Sequence, residues 1–149
     1  MNFVISFLPE VTGILSTPAD NISPGFIKIG WYQEKFDVLL NYWSQSEYQE
    51  HWKEAVNHLL HVSPKSCLIT SIYHANSLAV IKCWLMYHWE GRVYFQNHVA
   101  TFRNFFSSFD PKNPYALVPD RKTVDGKGEK IPEWSLPLED LEEFFNNIR

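Results

Sequence analysis

The chain lacks both a long apolar run and an excess of positive charge. Its longest apolar stretch, residues 78–89, is interrupted by Lys82 and His88, and it is shorter than the roughly 20 residues that a membrane-spanning helix needs. The 13 Lys and Arg side chains are outnumbered by 17 Asp and Glu side chains, which gives a formal net charge of -4. This balance argues against a basic nucleic-acid-binding arm, and we expect a soluble protein.

Cysteine is scarce as well, since Cys67 and Cys83 are the only two. Both lie in strand-like runs, where free thiols serve as core residues, and such thiols are typical of a reducing compartment. We therefore expect the protein in the cytoplasm.

Internal repeats, low-complexity tracts and linkers are absent, and 45% hydrophobic residues are enough for one core. We predict a single domain over residues 1–149.

The sequence contains no recognisable motif for catalysis or for binding a cofactor. His51, His58 and His61 lie on one predicted helix, but a zinc site needs three or four converging ligands, and the nearest thiol, Cys67, is expected in the core. No Ser lies at a Gly-flanked elbow, and residues 125–130 contain Gly and Lys without the spacing of a phosphate-binding loop. We therefore predict no catalytic residue, metal or cofactor, and interpret residues 125–130 as a tight turn.

The N-terminal third of the chain has the pattern of short strands. Residues 1–8 are apolar and are interpreted as a strand or a tail, because no positive charge precedes them as in an export signal. Residues 26–31 and 36–42 are largely apolar on either side of the polar pair Gln33 and Glu34. This pattern indicates a hairpin.

A helix is predicted to begin at Ser44. The Ser44 hydroxyl and the Glu47 carboxylate have the spacing of a capping box, in which each side chain accepts a hydrogen bond from the backbone of the other residue. The helix should end before Pro64. Its apolar residues fall on one arc at helical spacing; they are Tyr48, Trp52, Ala55, Val56, Leu59 and Leu60.

The second half of the chain changes to strand periodicity. Residues 67–73, 78–88 and 93–99 predict a three-stranded antiparallel meander, whose middle strand is apolar on both faces. Residues 102–109 suggest a short helix, and Pro137 suits the first turn of a C-terminal helix. The predicted fold class is α+β, with a twisted, mostly antiparallel sheet packed against a helix from the centre of the sequence and a C-terminal helix.

Charge is unevenly distributed along the chain. Acidic side chains outnumber basic ones in residues 1–60 and 133–149, whereas residues 61–132 carry a basic excess. Such a dipolar surface has acidic ends that suit a basic protein partner.

Four strings between residues 42 and 148 carry a resemblance to a known family. They are Tyr42-Trp43, Val93-Tyr94-Phe95-Gln96-Asn97, Phe109-Asp110-Pro111, and a string from Arg121 to Trp134 that contains Thr123, Asp125-Gly126, Gly128, Lys130-Ile131 and Glu133. Together they resemble the immunity proteins of bacterial contact-dependent growth inhibition systems, in particular the Enterobacter-type branch.

The resemblance implies a small non-catalytic antidote in the cytoplasm of a Gram-negative bacterium. Its implied partner is the C-terminal toxin domain of a large surface exoprotein, a basic ribonuclease that it binds in a 1:1 complex. The implied fold is similar to the Whirly sheets that bind single-stranded DNA, but fold similarity does not transfer nucleic-acid binding. A sheet-based single-stranded nucleic-acid-binding module is the alternative, because the aromatic side chains are suited to base stacking. A small histidine hydrolase ranks third.

An inhibitor of a cationic nuclease needs carboxylates for steering and a few aromatic anchors. We therefore predict a toxin-binding surface that contains acidic side chains and one aromatic anchor, Trp43. The acidic members are Asp37, Glu47, Glu50, Glu54, Asp125 and Glu133.

Overall fold

The computed structural model of the chain describes residues 1–9, 21–76, 78–103 and 109–148. Within these ranges the chain forms two antiparallel sheets and two α-helices, which confirms the α+β class. The elements in chain order are β1 (Phe3–Phe7), β2 (Ile22–Ile29), β3 (Tyr32–Leu39), α1 (Gln45–His61), β4 (Lys65–Ala75), β5 (Leu78–Trp89), β6 (Arg92–Arg103), a 3-10 turn (Pro114–Leu117), β7 (Trp134–Pro137) and α2 (Leu138–Asn147).

The first sheet has the order β1-β2-β3. The N-terminal residues form a strand, and the predicted hairpin is present, but its predicted turn is wrong. Gln33 and Glu34 lie within β3 and pair with β2, whereas the chain reverses at Gly30 and Trp31. Gly30 has a φ of 63°, a left-handed conformation that glycine adopts without steric cost. The reversal therefore takes place at the glycine.

The second sheet has the order β4-β5-β6-β7 and contains the predicted meander. Residues 83–87 of the central strand β5 are all buried, so both faces of this stretch are covered, as its apolar pattern predicts. The four-residue strand β7, which the sequence did not indicate, pairs with the start of β6. The helix predicted for residues 102–109 is wrong at Phe102, which pairs with Ala79 in the sheet; residues 104–108 lie outside the described residues.

Helix α1 begins with the predicted capping box. The Glu47 amide donates to the Ser44 hydroxyl over 3.3 Å, and the Ser44 amide donates to the Glu47 carboxylate over 3.2 Å. The helix ends at His61, before Pro64. The predicted apolar arc is buried, apart from the half-buried Leu60.

Three side chains of α1 bond to the edge of the second sheet. Strand β4 is an outer strand of that sheet, so part of its backbone has no strand to pair with. The indole of Trp52 donates to the carbonyl of Ile69 over 2.8 Å, and Nε2 of His51 accepts from the amide of Ile69 over 2.8 Å. The Tyr48 hydroxyl accepts from the amide of Ile72 over 3.0 Å. These bonds satisfy buried backbone groups that no strand reaches.

Tyr48 also joins the two sheets. Its hydroxyl donates to the carbonyl of Leu39 in β3 over 2.9 Å, while the amide of Leu39 donates to the Ser71 hydroxyl in β4 over 3.3 Å. Side chains thus bridge β3 and β4 at this point.

Helix α2 closes the other side of the core. Pro137 is its N-cap, one position before the predicted first turn, and Leu141 and Phe144 are buried. The ring of Phe144 packs edge-on against Phe3, with 4.9 Å between centroids, and Phe3 stacks on Phe95. This aromatic column connects α2 to both sheets.

Both thiols are core residues, as expected. Cys67 and Cys83 are buried and free, and burial raises the pKa of the Cys67 thiol to about 12. Both thiols therefore remain protonated near neutral pH, where they are poor nucleophiles.

The bridge at Tyr48 generates a stability prediction. Tyr48→Phe leaves the Leu39 carbonyl and the Ile72 amide without a partner, so we expect the free energy of unfolding to fall by roughly 2–4 kcal/mol. Urea denaturation of the variant and of wild type measures this loss. Tyr73→Phe, at an exposed tyrosine of β4, is the matched control. Equal unfolding midpoints for Tyr48→Phe and wild type would contradict the bridging role.

Candidate protein-binding site

A groove with a volume of about 570 Å³ runs between α1 and the segment before the 3-10 turn. Its walls contain four of the seven residues predicted to bind a partner, together with residues that the sequence did not indicate. The lining residues are Trp43, Glu47, Glu50, His51, Glu54, Pro111, Lys112, Pro114 and Tyr115.

The helix wall of the groove is acidic. Glu47, Glu50 and Glu54 follow one another at intervals of three and four residues, which places them on one face of α1. All three side chains are exposed, while Lys112 is the basic residue in the lining. The groove therefore carries a net negative charge that favours a cationic ligand.

Trp43 forms part of the groove wall. It is only 8% exposed, because its ring packs against Tyr48 and His51 with centroid distances of 5.3 and 5.1 Å. Only a small part of the indole is accessible, so Trp43 does not project from the surface as an aromatic anchor would.

The opposite wall is held by local hydrogen bonds and one stacked pair. Asp110 accepts from the amide of Lys112 with its carboxylate over 2.9 Å, and from the amide of Asn113 with its carbonyl over 3.0 Å. The Tyr115 ring then stacks on His58 of α1, with 3.8 Å between centroids and 9° between planes. Burial, followed by the nearby Cys67 and Glu54, raises the pKa of Tyr115 to about 12, so the phenol is neutral.

His51 lies between the core and the groove. Burial lowers its pKa to about 3, so the imidazole is neutral near pH 7. No binding role was predicted for His51, although it lies four residues after Glu47 and three before Glu54, on the same helix face. This helical spacing is the feature of the sequence that indicates a position of His51 beside the acidic residues. Tyr115 and Pro114 gave no comparable signal, because a long-range contact brings them to α1.

Glu133, another predicted contact, lies outside this groove in a salt bridge. Arg121 donates to both of its carboxylate oxygens, over 2.6 and 3.0 Å, and Gln96 donates to it over 2.8 Å. The Arg121 guanidinium also lies 3.9 Å from the centroid of the Tyr94 ring. Burial opposes the ionisation of Glu133, but the bonds from Arg121 and Gln96 outweigh it and lower the pKa of the carboxyl group.

The last two predicted contacts, Asp125 and Asp37, also lie outside the groove. The Asp125 carboxylate accepts from the amides of Lys127 and Glu129 over 2.8 and 3.0 Å, and this confirms the predicted tight turn. Asp37 is exposed on β3, where it lines a separate depression with Tyr73. Four of the seven residues thus lie together in the groove, whereas Glu133, Asp125 and Asp37 lie outside it.

The groove combines exposed carboxylates with partly buried aromatic rings. In the part of the chain that the structure describes, His, Cys, Asp and Glu form no group of three that fits a metal ion. Over the same ranges, no helix has the length and apolar character needed to cross a membrane. The arrangement of charge and rings suits recognition of a cationic surface.

Three comparisons relate the chain to known proteins. The family described as "CdiI N-terminal domain" matches residues 38–144. The chain is 29% identical to "Immunity protein CdiI" of Enterobacter cloacae subsp. cloacae over 134 residues, which cover 90% of this chain and 92% of that protein. A chain of the solved "CdiA-CT/CdiI toxin and immunity complex from Enterobacter cloacae" superposes with a TM-score of 0.80 and 28% identity, covering 97% of this chain and 96% of that one.

The environment of Glu133 generates a pH-dependent prediction. Because its pKa is lower in the folded chain than the ordinary 4.5, its ionised form stabilises the fold above that pH, and this stabilisation is lost as the pH falls through the folded value. Glu133→Gln should therefore be less stable than wild type at about pH 7, and the difference should shrink progressively as the pH is lowered below 4.5. Urea denaturation across this range measures the difference, with Glu129→Gln as an exposed control. A deficit that stays constant with pH would contradict the assignment.

Proposed function

The chain belongs to the CdiI N-terminal domain family, and we propose that it binds and neutralises the C-terminal toxin domain of a cognate contact-dependent growth inhibition exoprotein. The observation that carries this proposal is the match over nearly the whole chain to a component of a toxin and immunity complex. The similarity to an immunity protein over 90% of the chain supports the same role. The protein acts by binding and carries out no reaction.

The groove is the proposed centre of the toxin contact. Its exposed carboxylates attract a basic partner as the two proteins approach. Its partly buried rings provide apolar surface that loses contact with water once the complex has formed. Glu50 and Glu54 are the proposed direct ionic contacts. Glu47 contributes charge while it also caps the helix, and Trp43 contributes the edge of its ring.

The three predicted contacts outside the groove have more peripheral proposed roles. Asp37 carries an exposed charge on β3, which suits an ionic contact at the periphery of a large interface. Asp125 and Glu133 use their carboxylates within the loop, so we assign them to shaping the toxin-facing segment rather than to direct ion pairs.

The proposed toxin is a basic ribonuclease, bound as a 1:1 complex in the cytoplasm. A nuclease presents cationic groups to RNA phosphates, and a protein with a net charge of -4 and an acidic groove complements such a surface. The two free core thiols fit a reducing compartment.

Inhibition of RNA cleavage tests the identity of the toxin. We expect a toxin exoprotein to be encoded immediately upstream. Its C-terminal domain should cleave purified cellular RNA, and one molar equivalent of this protein should stop the cleavage. Cleavage that continues at a large excess of the protein would contradict the proposal. Tight binding of the protein to a single-stranded DNA oligonucleotide, without toxin binding, would favour the nucleic-acid-binding alternative.

Charge reversal tests the position of the contact. Glu50→Lys and Glu54→Lys should each weaken toxin binding by about tenfold or more and reduce its dependence on salt, because each replaces an attraction by a repulsion. Isothermal titration calorimetry at low and high salt measures both effects. Glu142→Lys, at an exposed position of α2, makes the same change in net charge and should bind like wild type. Equal losses in all three variants would show a general charge effect and place the contact elsewhere.

A further inference from the structure

One nitrogen of His51 has a fixed chemical role. Nε2 accepts a hydrogen bond from the amide of Ile69 over 2.8 Å, so this nitrogen carries no hydrogen. In a neutral imidazole the hydrogen must then reside on Nδ1, which becomes a donor. The tautomer is therefore set by the edge of β4.

The Nδ1 donor has no acceptor within the described part of the chain. Among residues 1–9, 21–76, 78–103 and 109–148, the hydrogen bond of the His51 side chain is the one at Nε2. The side chain is 8% exposed and lines the acidic groove. Nδ1 is not among the buried side-chain atoms without a partner in the described residues, so it is open to the groove, where it can donate to the acceptor of an incoming ligand.

The surroundings of His51 restrict which acceptor fits. Glu50 and Glu54 flank His51 on the same helix face, so an anionic acceptor would be repelled. A neutral carbonyl oxygen accepts the hydrogen bond without that penalty. A ligand that also places a positive charge near these two carboxylates binds more tightly, through charge-assisted hydrogen bonds.

The remaining wall favours a side chain with a flat or aliphatic body. Trp43 and Tyr115 contribute aromatic surface to the groove, and Pro111 and Pro114 contribute apolar rings. An Arg or Lys side chain has an apolar stem and a cationic end, and Arg also stacks on aromatic rings. A peptide supplies both this side chain and a neutral carbonyl.

We propose that the groove takes an extended, Arg- or Lys-bearing segment of the toxin domain, with a main-chain carbonyl of that segment accepting a hydrogen bond from Nδ1 of His51. The inference rests on the proposed function and adds His51 as a specificity-determining residue. Glu50 and Glu54 bind the cationic end of the side chain, while Trp43 and Tyr115 contact its stem. The cavity of about 570 Å³ falls within the roughly 300–1,000 Å³ typical of ligand pockets.

The variant His51→Gln separates the two roles of the histidine. The side-chain amide oxygen of glutamine reaches the region of Nε2 and can accept from Ile69, whereas nothing replaces the donor at Nδ1. We expect stability close to that of wild type and toxin binding about tenfold weaker, with the loss in the dissociation rate. The salt dependence of binding should stay unchanged, because no charge is removed. His61→Gln, at an exposed histidine of the same helix outside the groove lining, is the matched control.

NMR of the imidazole nitrogens tests the hydrogen bond from Nδ1 of His51 directly in the wild-type protein. This measurement does not depend on whether His51→Gln folds. The probe is the purified toxin domain made inactive by substitution. Its addition should shift the Nδ1 proton of His51 and slow its exchange with water, while the Nε2 signal keeps its unprotonated character.

The outcomes separate this inference from the proposed function. Tight toxin binding with an unchanged Nδ1 signal, or with His51→Gln equal to wild type, overturns the inference and leaves the immunity role in place. Absence of toxin binding by wild type overturns the proposed function and the inference together.

Discussion

The unpaired edge of β4 is the constraint on which the rest of the structure depends. A strand edge inside a protein must find partners for its backbone groups, and here one helix supplies them through Tyr48, His51 and Trp52. Those three bonds fix the rotation of α1 about its axis. Because the rotation is fixed, residues two positions from Tyr48 or Trp52, roughly 200° around the helix, must face outward. Glu50 and Glu54 stand at such positions and are exposed. The acidic face is thus a consequence of how the edge is satisfied.

The same helix therefore contributes to stability and presents the proposed recognition surface. His51 belongs to both roles, with one nitrogen bound to the sheet and the other available to the groove. A binding surface on a helix held in this way is already ordered before a partner arrives, which lowers the entropic cost of association. The far wall is ordered independently, by the Asp110 turn and by the stacking of Tyr115 on His58. The groove would therefore need little rearrangement to take the proposed partner.

Interactions between residues close in sequence were sufficient to predict part of this structure. The capping box at Ser44 and the two-sided apolar pattern of residues 83–87 depend on neighbours along the chain, and both were predicted correctly. The hairpin turn was misplaced because the polar residues of β3 resemble a turn, although Gly30 carries the positive φ. Glu50 and Glu54 follow from helical spacing. The far wall of the groove could not be predicted in this way. The contact of Tyr115 with α1 joins residues more than fifty positions apart and leaves no periodic pattern in the sequence.

We propose that this chain protects a cell by binding a cationic toxin in an acidic, ordered groove. Growth of bacteria that produce the adjacent toxin domain internally tests it most directly, with this protein either present or absent. We expect toxin-producing cells to grow normally when the protein is present. A double Glu50→Lys and Glu54→Lys variant, produced at the same level, should fail to restore growth. Equal growth arrest with and without the wild-type protein would contradict the account.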